Sequence, residues 1–307
     1  MNIVFMGSPE FALPSLKILL ENEYDMVGVV TAPDKPRGRG QAVTPTPVKA
    51  FALAQNLNIL QPASLKEPAF IETVRKLRPH IAVVVAFRIL PEELFTLPTH
   101  GSINLHASLL PCYRGAAPIQ WAIMNGEKET GVTTFFLQEA VDKGNIILQA
   151  RTRIGDEETA GEVHDRLSEI GAEIVLHTVR LIEQGKANPK PQAESLASPA
   201  PKIVKEDCRI DWSKDARAVH NFVRGLSPSP GAYTIHRDRV IKFHRTKLVD
   251  EETERQGGTI VKLDGELWVA ARRGVVSIME LQQEGHKRLR FDEFLRGYQL
   301  KEGDRFG

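Results

Sequence analysis

The sequence predicts an α/β fold followed by a smaller all-β domain. Short apolar runs alternate with helix-period stretches in the N-terminal half, which predicts a doubly wound, mostly parallel sheet of the Rossmann-like type. A proline-rich segment then interrupts the pattern, and short β-branched runs after it predict an OB-like β-barrel. We therefore expect an N-terminal α/β domain over 1–188, a linker over 189–206 and a C-terminal barrel domain over 207–307.

The strands and helices of the first domain follow from two kinds of pattern. Continuous Val- and Ile-rich runs suit strands that are buried on both faces of a parallel sheet. The expected strands cover 2–6, 26–31, 81–86, 102–106, 131–137 and 145–153. Apolar residues at helical spacing predict helices over 11–21, 47–56, 67–77, 115–125 and 159–184. Thr159, with Glu162 three residues later, is expected to cap the last helix.

The second domain begins after residues 186–204, which contain four prolines and little periodicity. Such a composition is typical of an extended connector. A short helix is expected over 214–224. The strands of the barrel are expected over 232–236, 239–246, 258–263, 266–271 and 275–281.

Composition excludes several classes of protein. The chain has 307 residues, of which 42% are hydrophobic and 26% charged, as in an ordinary globular protein. No apolar run reaches the roughly 20 residues of a membrane span. The first residues fit a strand better than a secretory signal, so we expect a cytoplasmic protein. A monomer is the default expectation. Cys112 and Cys208 have no metal-binding or disulfide spacing, so reduced thiols and no metal are expected. A net charge of +1 disfavours a protein that binds nucleic acid non-specifically, because such proteins are usually strongly basic.

The turn after the first strand disfavours a nucleotide cofactor. It reads Gly7-Ser8-Pro9, whereas a dinucleotide site needs further glycines so that the backbone can approach a pyrophosphate. A nucleotide-dependent oxidoreductase is therefore a poor interpretation despite the predicted sheet.

Asn104 and His106 are the first candidates for chemistry. Side chains two residues apart on a strand share a face, so both should project together at the carboxyl end of their strand. An amide can stabilise an oxyanion and an imidazole can move a proton, as acyl transfer requires. Asp142, in a loop rich in turn residues, could hold His106 in one tautomer. On spacing alone, a structural Asn-X-His pair and an ordinary turn Asp remain open.

The combination of these residues with two further motifs resembles the folate-dependent formyltransferases over nearly the whole chain. The motifs are Ser108-Leu109-Leu110-Pro111 and the segment from Arg114 to Gln120. The resemblance implies catalytic roles for Asn104, His106 and Asp142, and 10-formyltetrahydrofolate as the co-substrate. It also implies that folate is contacted by Ser108, Leu109, Leu110, Pro111, Phe87 and Arg88.

The amine that accepts the formyl group is suggested by a glycine- and proline-rich loop over 33–49. Its basic residues suit phosphate contact, although a solvated charged loop would have the same composition. The loop is similar to the insertion with which some family members engage methionyl-tRNA, which implies that Arg37 and Arg39 contact the initiator tRNA. The second domain also resembles that of the tRNA-dependent members. Two alternatives stay open: a formyltransferase for an amino sugar or nucleotide amine, and a non-catalytic RNA-binding protein.

Overall fold

The computed structural model describes residues 1–37 and 42–307 and divides them into two compact units. Unit 1 comprises Met1–Gly115, Gly131–Thr152 and His164–Pro199, apart from the residues not described. Unit 2 comprises Ala116–Thr130, Arg153–Val163 and Ala200–Gly307. The chain crosses between the two units five times, and only the last crossing, after Pro199, lies within the segment 189–206. No helix within the described ranges is both long and apolar enough to cross a membrane.

The first nine strands are β1 Asn2–Gly7, β2 Asp25–Val30, β3 Lys35–Arg37, β4 Ala42–Thr44, β5 Ile59–Leu60, β6 Ile81–Val85, β7 Ser102–His106, β8 Glu129–Phe136 and β9 Ile146–Arg153. Seven of them form one sheet in the order β5-β2-β1-β6-β7-β8-β9, while β3 and β4 form a separate hairpin. The pairs from β5 to β7 are parallel, and β7 pairs with β8 antiparallel. The predicted mostly parallel sheet is therefore confirmed. Its central strands β1 and β6 are almost fully buried, as their apolar runs predict.

Six helices occur in this part of the chain: α1 Leu13–Glu21, α2 Pro47–Ala54, α3 Pro68–Lys76, α4 Glu92–Phe95, α5 Pro118–Met124, which lies in unit 2, and α6 Ala160–Glu183. All five predicted helices are confirmed to within a few residues, and only the one-turn α4 was not predicted. The expected cap of α6 is also confirmed. The Glu162 carboxylate accepts from the Thr159 backbone N–H at 2.8 Å, and the Thr159 hydroxyl accepts from the Glu162 N–H at 3.3 Å.

The remaining elements are α7 Ala216–Gly225, β10 Ala232–His236, β11 Arg239–Val249, β12 Ile260–Lys262, β13 Trp268–Ala270, β14 Val275–Gln283, β15 Leu289–Arg290 and α8 Phe291–Leu295. The five predicted strands are confirmed as β10 to β14, in an antiparallel sheet of order β10-β11-β14-β13-β12 with β15 beside β14. Trp212, Phe243 and Phe306 lie in its core.

The last residues of the chain connect the two ends of this sheet. Gly307 exchanges two hydrogen bonds with Ile235 of β10, at 3.0 and 2.9 Å. On the other side, Ile260 of β12 donates to the Asp304 carbonyl at 2.8 Å, and Phe306 donates to Gly258 at 2.9 Å. The segment 304–307 therefore closes the sheet, in agreement with the predicted OB-like barrel.

Candidate active site

Asn104 and His106 lie at the carboxyl end of β7, next to the point where the sheet changes from parallel to antiparallel. Asn104 is paired with Val84 of the parallel neighbour β6, and His106 with Thr133 of the antiparallel neighbour β8. Since the two residues are separated by one, their side chains project from the same face of the strand. Phe87 and Arg88 follow directly after β6, so the carboxyl edge of the sheet collects four of the candidate residues.

His106 is nearly buried, with 7% of its surface exposed, and its ring is fixed on one side only. Its Nε2 lies 2.9 Å from the Tyr113 carbonyl oxygen. A carbonyl can only accept, so Nε2 carries a hydrogen. The other nitrogen, Nδ1, lies 3.9 Å from Asp142 Oδ1, an ion-pair distance that is too long for a hydrogen bond. Nδ1 therefore faces a carboxylate without being bonded to it.

Asp142 lies in the loop between β8 and β9, where its backbone adopts a left-handed conformation with φ of 55°. Its Oδ2 accepts from the Gly115 backbone N–H at 3.0 Å, which turns Oδ1 toward His106. Gly144 follows at a position where a Cβ would clash with the Phe136 carbonyl, so only glycine fits the close return of the loop to β8. The structure thus brings Asp142 and His106 together from segments that are distant in the sequence.

The Asn104 side chain is half-buried at this edge. Its amide makes no hydrogen bond to any residue that the structure describes, which leaves its N–H groups available. An unbonded amide beside an imidazole can stabilise negative charge that develops on a carbonyl oxygen.

The segment Ser108–Pro111 forms a tightly held turn beyond β7. Ser108 is fully buried, and its hydroxyl donates to the Cys112 carbonyl at 2.6 Å. The Thr133 hydroxyl donates to the Ser108 carbonyl at 2.6 Å and accepts from the Leu110 N–H at 3.1 Å. Ser108 therefore shapes the turn, while Leu109 and Pro111 are the half-buried side chains of the segment. No pattern in the sequence indicates this role of Thr133.

Phe87 and Arg88 form a second wall of the edge. The Arg88 guanidinium lies 5.2 Å from the centre of the Phe87 ring and donates to the Pro62 and Ala63 carbonyls, both at 3.0 Å. Burial lowers the pKa of Arg88. Its Nε is buried and has no partner among the described residues. An unpaired buried N–H at this place fits a polar ligand that supplies an acceptor.

One of the two predicted tRNA contacts lies in the hairpin of β3 and β4. Arg37 is the last residue of β3, and Arg39 lies outside the described residues. The base of the hairpin is fixed by Asp34, whose carboxylate pairs with Lys49 at 2.5 Å and accepts from Gln61 at 2.9 Å. The hydrogen bond from Lys49 lowers the pKa of Asp34.

A segment that the sequence predicts to be a linker supplies residues that sequence reasoning missed. Gln192 contacts the backbone of the Asp142 loop, and Ser198 contacts the residues that hold His106. Proline content was the only signal in this segment, and it indicates an extended chain but not its contacts. In the described part of the chain, no group of three or more His, Cys, Asp or Glu side chains could hold a metal ion.

An amide donor, an imidazole and a carboxylate at the carboxyl edge of an α/β sheet fit an enzyme of the acyl-transfer class. Comparison with known proteins then identifies the family. The family model for formyl transferases matches residues 1–179, and the model for the C-terminal domain of formyl transferases matches residues 202–299. The chain belongs to the formyl transferase family, which is folate-dependent.

Several curated relatives match over the full chain. Methionyl-tRNA formyltransferase from Porphyromonas gingivalis is 46% identical and is aligned over 98% of this chain and 96% of its own. The enzyme of that name from Caldanaerobacter subterraneus is 44% identical, with 99% of both chains covered. HypX from Aquifex aeolicus, solved in complex with tetrahydrofolic acid, has a TM-score of 0.67 at 19% identity. That comparison covers 100% of this chain and 50% of HypX, and it shows the fold alone.

Proposed function

We propose that the chain transfers the formyl group of 10-formyltetrahydrofolate to the amino group of initiator methionyl-tRNA. The product would be N-formylmethionyl-tRNA for translation initiation, made in the cytoplasm by a monomer. The observation that supports this proposal is the approach of Asp142 to His106, with Asn104 on the same strand two residues from His106, in a chain of this family. The tRNA acceptor is supported by relatives of 44 and 46% identity that bear that name.

The main task of the enzyme in this reaction is to position the two substrates. An α-amino group titrates near pH ~7.7–8.0, so a large part is neutral in the cell and can attack the formyl carbon. Holding the two substrates together can lower the barrier by roughly 7–11 kcal/mol. The free Asn104 amide would donate to the oxygen of the tetrahedral intermediate. His106, with Nδ1 facing Asp142, would relay the proton from the attacking amine to the folate nitrogen that leaves.

The folate co-substrate would lie along the edge formed by the ends of β6 and β7. Leu109, Leu110 and Pro111 would supply apolar contact, while the buried Ser108 keeps their turn in shape. Phe87 and Arg88 would form the opposite wall, and the unpaired Nε of Arg88 would donate to an acceptor on the ligand.

The acceptor tRNA would be engaged by the loop that joins β3 and β4. Arg39→Ala should lower the rate with methionyl-tRNA mainly through a higher KM for tRNA, because a phosphate contact is lost. The KM for folate should stay the same. Arg78→Ala, which changes an exposed arginine outside the segment 33–49, is the matched control. If Arg39→Ala leaves both the KM for tRNA and kcat unchanged, the loop has no such role.

The decisive experiment is a formyl-transfer assay with purified protein and 10-formyltetrahydrofolate. Methionyl-tRNA of the initiator and elongator types is supplied separately, and the product is identified by mass. Formyl-methionine on the initiator tRNA is expected. Transfer to amino sugars or nucleotide amines alone would replace the proposed acceptor. The absence both of transfer and of folate binding would overturn the proposal.

A further inference from the structure

The segment 190–199, which we call the strap, is bound to the rest of unit 1 at both of its ends. Lys190 exchanges two hydrogen bonds with Ile146 at the start of β9, both of 2.8 Å. At the other end, the Ser198 carbonyl accepts from the Arg114 backbone N–H at 2.8 Å. An extended segment held at two points has a defined path, so the side chains between these points can be placed accurately.

Gln192, between the two anchors, uses all four hydrogen-bonding positions of its side-chain amide. Its Nε2 donates to the carbonyls of Asp142 and Gly144, both at 2.8 Å. Its Oε1 accepts from Nε and Nη2 of Arg114, at 3.1 and 2.7 Å. Two acceptors on one side and two donors on the other require a group that has both, which glutamine provides and glutamate or lysine does not.

The two carbonyls that Gln192 binds belong to the loop that presents the Asp142 carboxylate. Asp142 adopts a left-handed backbone conformation, which costs free energy in a residue other than glycine and persists only where surrounding contacts hold it. Gln192 is one such contact, and the Gly115 N–H that binds Oδ2 is another. Together they set the 3.9 Å between Oδ1 and Nδ1 of His106.

The same strap also reaches the opposite side of the His106 ring. The Ser198 hydroxyl accepts from the Tyr113 N–H at 2.9 Å, and the Tyr113 carbonyl lies 2.9 Å from His106 Nε2. Tyr113 also has a positive φ of 59°, so this contact likewise holds a backbone in a conformation that side chains disfavour. Both partners of the His106 ring are thus supported by the strap.

We infer that Gln192 is a positioning residue, whose amide fixes the backbone of the Asp142 loop and so sets the Asp142 carboxylate beside His106. This inference rests on the proposed function, because it assigns Gln192 to the reaction through Asp142. The strap is then part of the active site as well as a connection between the units of the chain.

The test is Gln192→Glu, with Gln184→Glu as the matched control. Glutamate at 192 still accepts from Arg114, but it places an oxygen against the two loop carbonyls, which repels the loop. Gln184 is exposed after α6, so the same change there leaves the site intact. We expect kcat of Gln192→Glu to fall by about 10-fold, as two lost hydrogen bonds imply, with each KM within about 2-fold of the control.

A second comparison separates positioning from a general loss of structure. In the background of Asp142→Asn, the same Gln192→Glu change should lower kcat by less than about 2-fold, because the charge that Gln192 positions is already gone. An equal loss in both backgrounds, or a kcat equal to that of Gln184→Glu, would overturn the inference.

Amide hydrogen exchange over 139–145 gives a readout that does not depend on turnover. Exchange there should be faster in Gln192→Glu than in Gln184→Glu, because two of the contacts that restrain the loop are lost. Unchanged exchange would show that Gln192 does not hold the loop. Wild-type protein without transfer activity would contradict the proposed function instead, and the exchange experiment would still decide the role of the strap.

Discussion

Two polar clusters, one in each unit, contain similar residues but use them differently. His106 in unit 1 has one ring nitrogen bonded and the other facing a carboxylate at 3.9 Å. His220 in unit 2, which is 2% exposed, has both nitrogens bonded: Nδ1 to the Thr246 hydroxyl and Nε2 to the Asp156 carbonyl, both at 2.9 Å. The first ring thus has one nitrogen without a hydrogen bond to a described residue, whereas both nitrogens of the second ring are bonded.

Arg224 and Asn221, which lie close to His220 in the sequence, are also hydrogen-bonded to described residues, unlike Asn104. Arg224 is 2% exposed and donates to the carbonyls of Gly155 and Glu158, at 3.0 and 3.1 Å, and to the Asn221 side chain at 2.9 Å. Burial lowers the pKa of Arg224. Asn104, in contrast, has no hydrogen bond to a described residue. Buried side chains that are hydrogen-bonded, such as His220 and Arg224, contribute to stability, whereas a polar side chain without such bonds is available to a ligand.

The largest expected effect comes from removing the unpaired amide of unit 1. Asn104→Ala should lower kcat by roughly 10²–10³-fold, equivalent to about 3–4 kcal/mol in the barrier, because one donor to the oxyanion is lost. Its thermal stability should change little, since the amide has no partner among described residues to lose. Single-turnover formyl transfer measures the effect. A kcat close to that of the wild type would remove Asn104 from the mechanism.

The matched control for Asn104→Ala is Asn221→Ala, which removes the same group from the paired cluster. Here we expect the reverse pattern. The kcat per folded molecule should stay within about 2-fold of the wild type, and the free energy of unfolding should fall because Arg224 loses an acceptor. If both asparagine variants show the same pattern, the contrast between the clusters is wrong.

A smaller effect is expected from removing the paired histidine. His220→Ala leaves the Thr246 hydroxyl and the Asp156 carbonyl without partners, which should lower the free energy of unfolding of unit 2 by about 2–3 kcal/mol. Tryptophan fluorescence during urea unfolding is a specific probe, because all three tryptophans of the chain, Trp121, Trp212 and Trp268, lie in unit 2. A loss below about 0.5 kcal/mol would mean that the two hydrogen bonds of His220 contribute nothing.

The sequence predicted those parts of the molecule that depend on local pattern. The run over 81–86 is strand β6, and the alternation over 275–281 is β14, because burial of one or both faces is encoded in the period of apolar residues. The common face of Asn104 and His106 follows from the same period of two. The short distance between His106 and Asp142 could not be predicted from this period, because the two residues lie on separate segments. Only the family resemblance linked them.

Contacts that join distant segments had no sequence signal at all. Gln192 lies among prolines in a segment without periodicity, and nothing nearby indicates that its amide meets Arg114 and the Asp142 loop. Likewise, His220-Asn221 could have been read as a reactive pair, and only the burial and the hydrogen bonds show that it is structural. The partners of a polar group, more than its identity, decide its role.

The smallest effect concerns the pH dependence of the free energy of unfolding of unit 2, which contains three buried histidines with lowered pKa values. Burial lowers the pKa of His220, His236 and His244 below the ordinary value of about 6.5, despite opposing contributions from groups such as Glu157 and Asp304. Below that pH the unfolded chain binds protons that the folded unit does not. The free energy of unfolding should therefore be constant above about pH 7.5 and fall on acidification, by at most roughly 1.4 kcal/mol per pH unit for each histidine.

Urea unfolding followed by tryptophan fluorescence at pH 7.5 and 5.5 measures this fall, in a range above that in which carboxylates titrate. His244→Gln should make the fall smaller, because one histidine no longer binds a proton on unfolding. The His106 variant His106→Gln should leave it unchanged, since that ring lies in unit 1, which contains no tryptophan. An unfolding free energy that is the same at both pH values would show that the buried histidines of unit 2 accept protons as readily when folded, which their burial argues against.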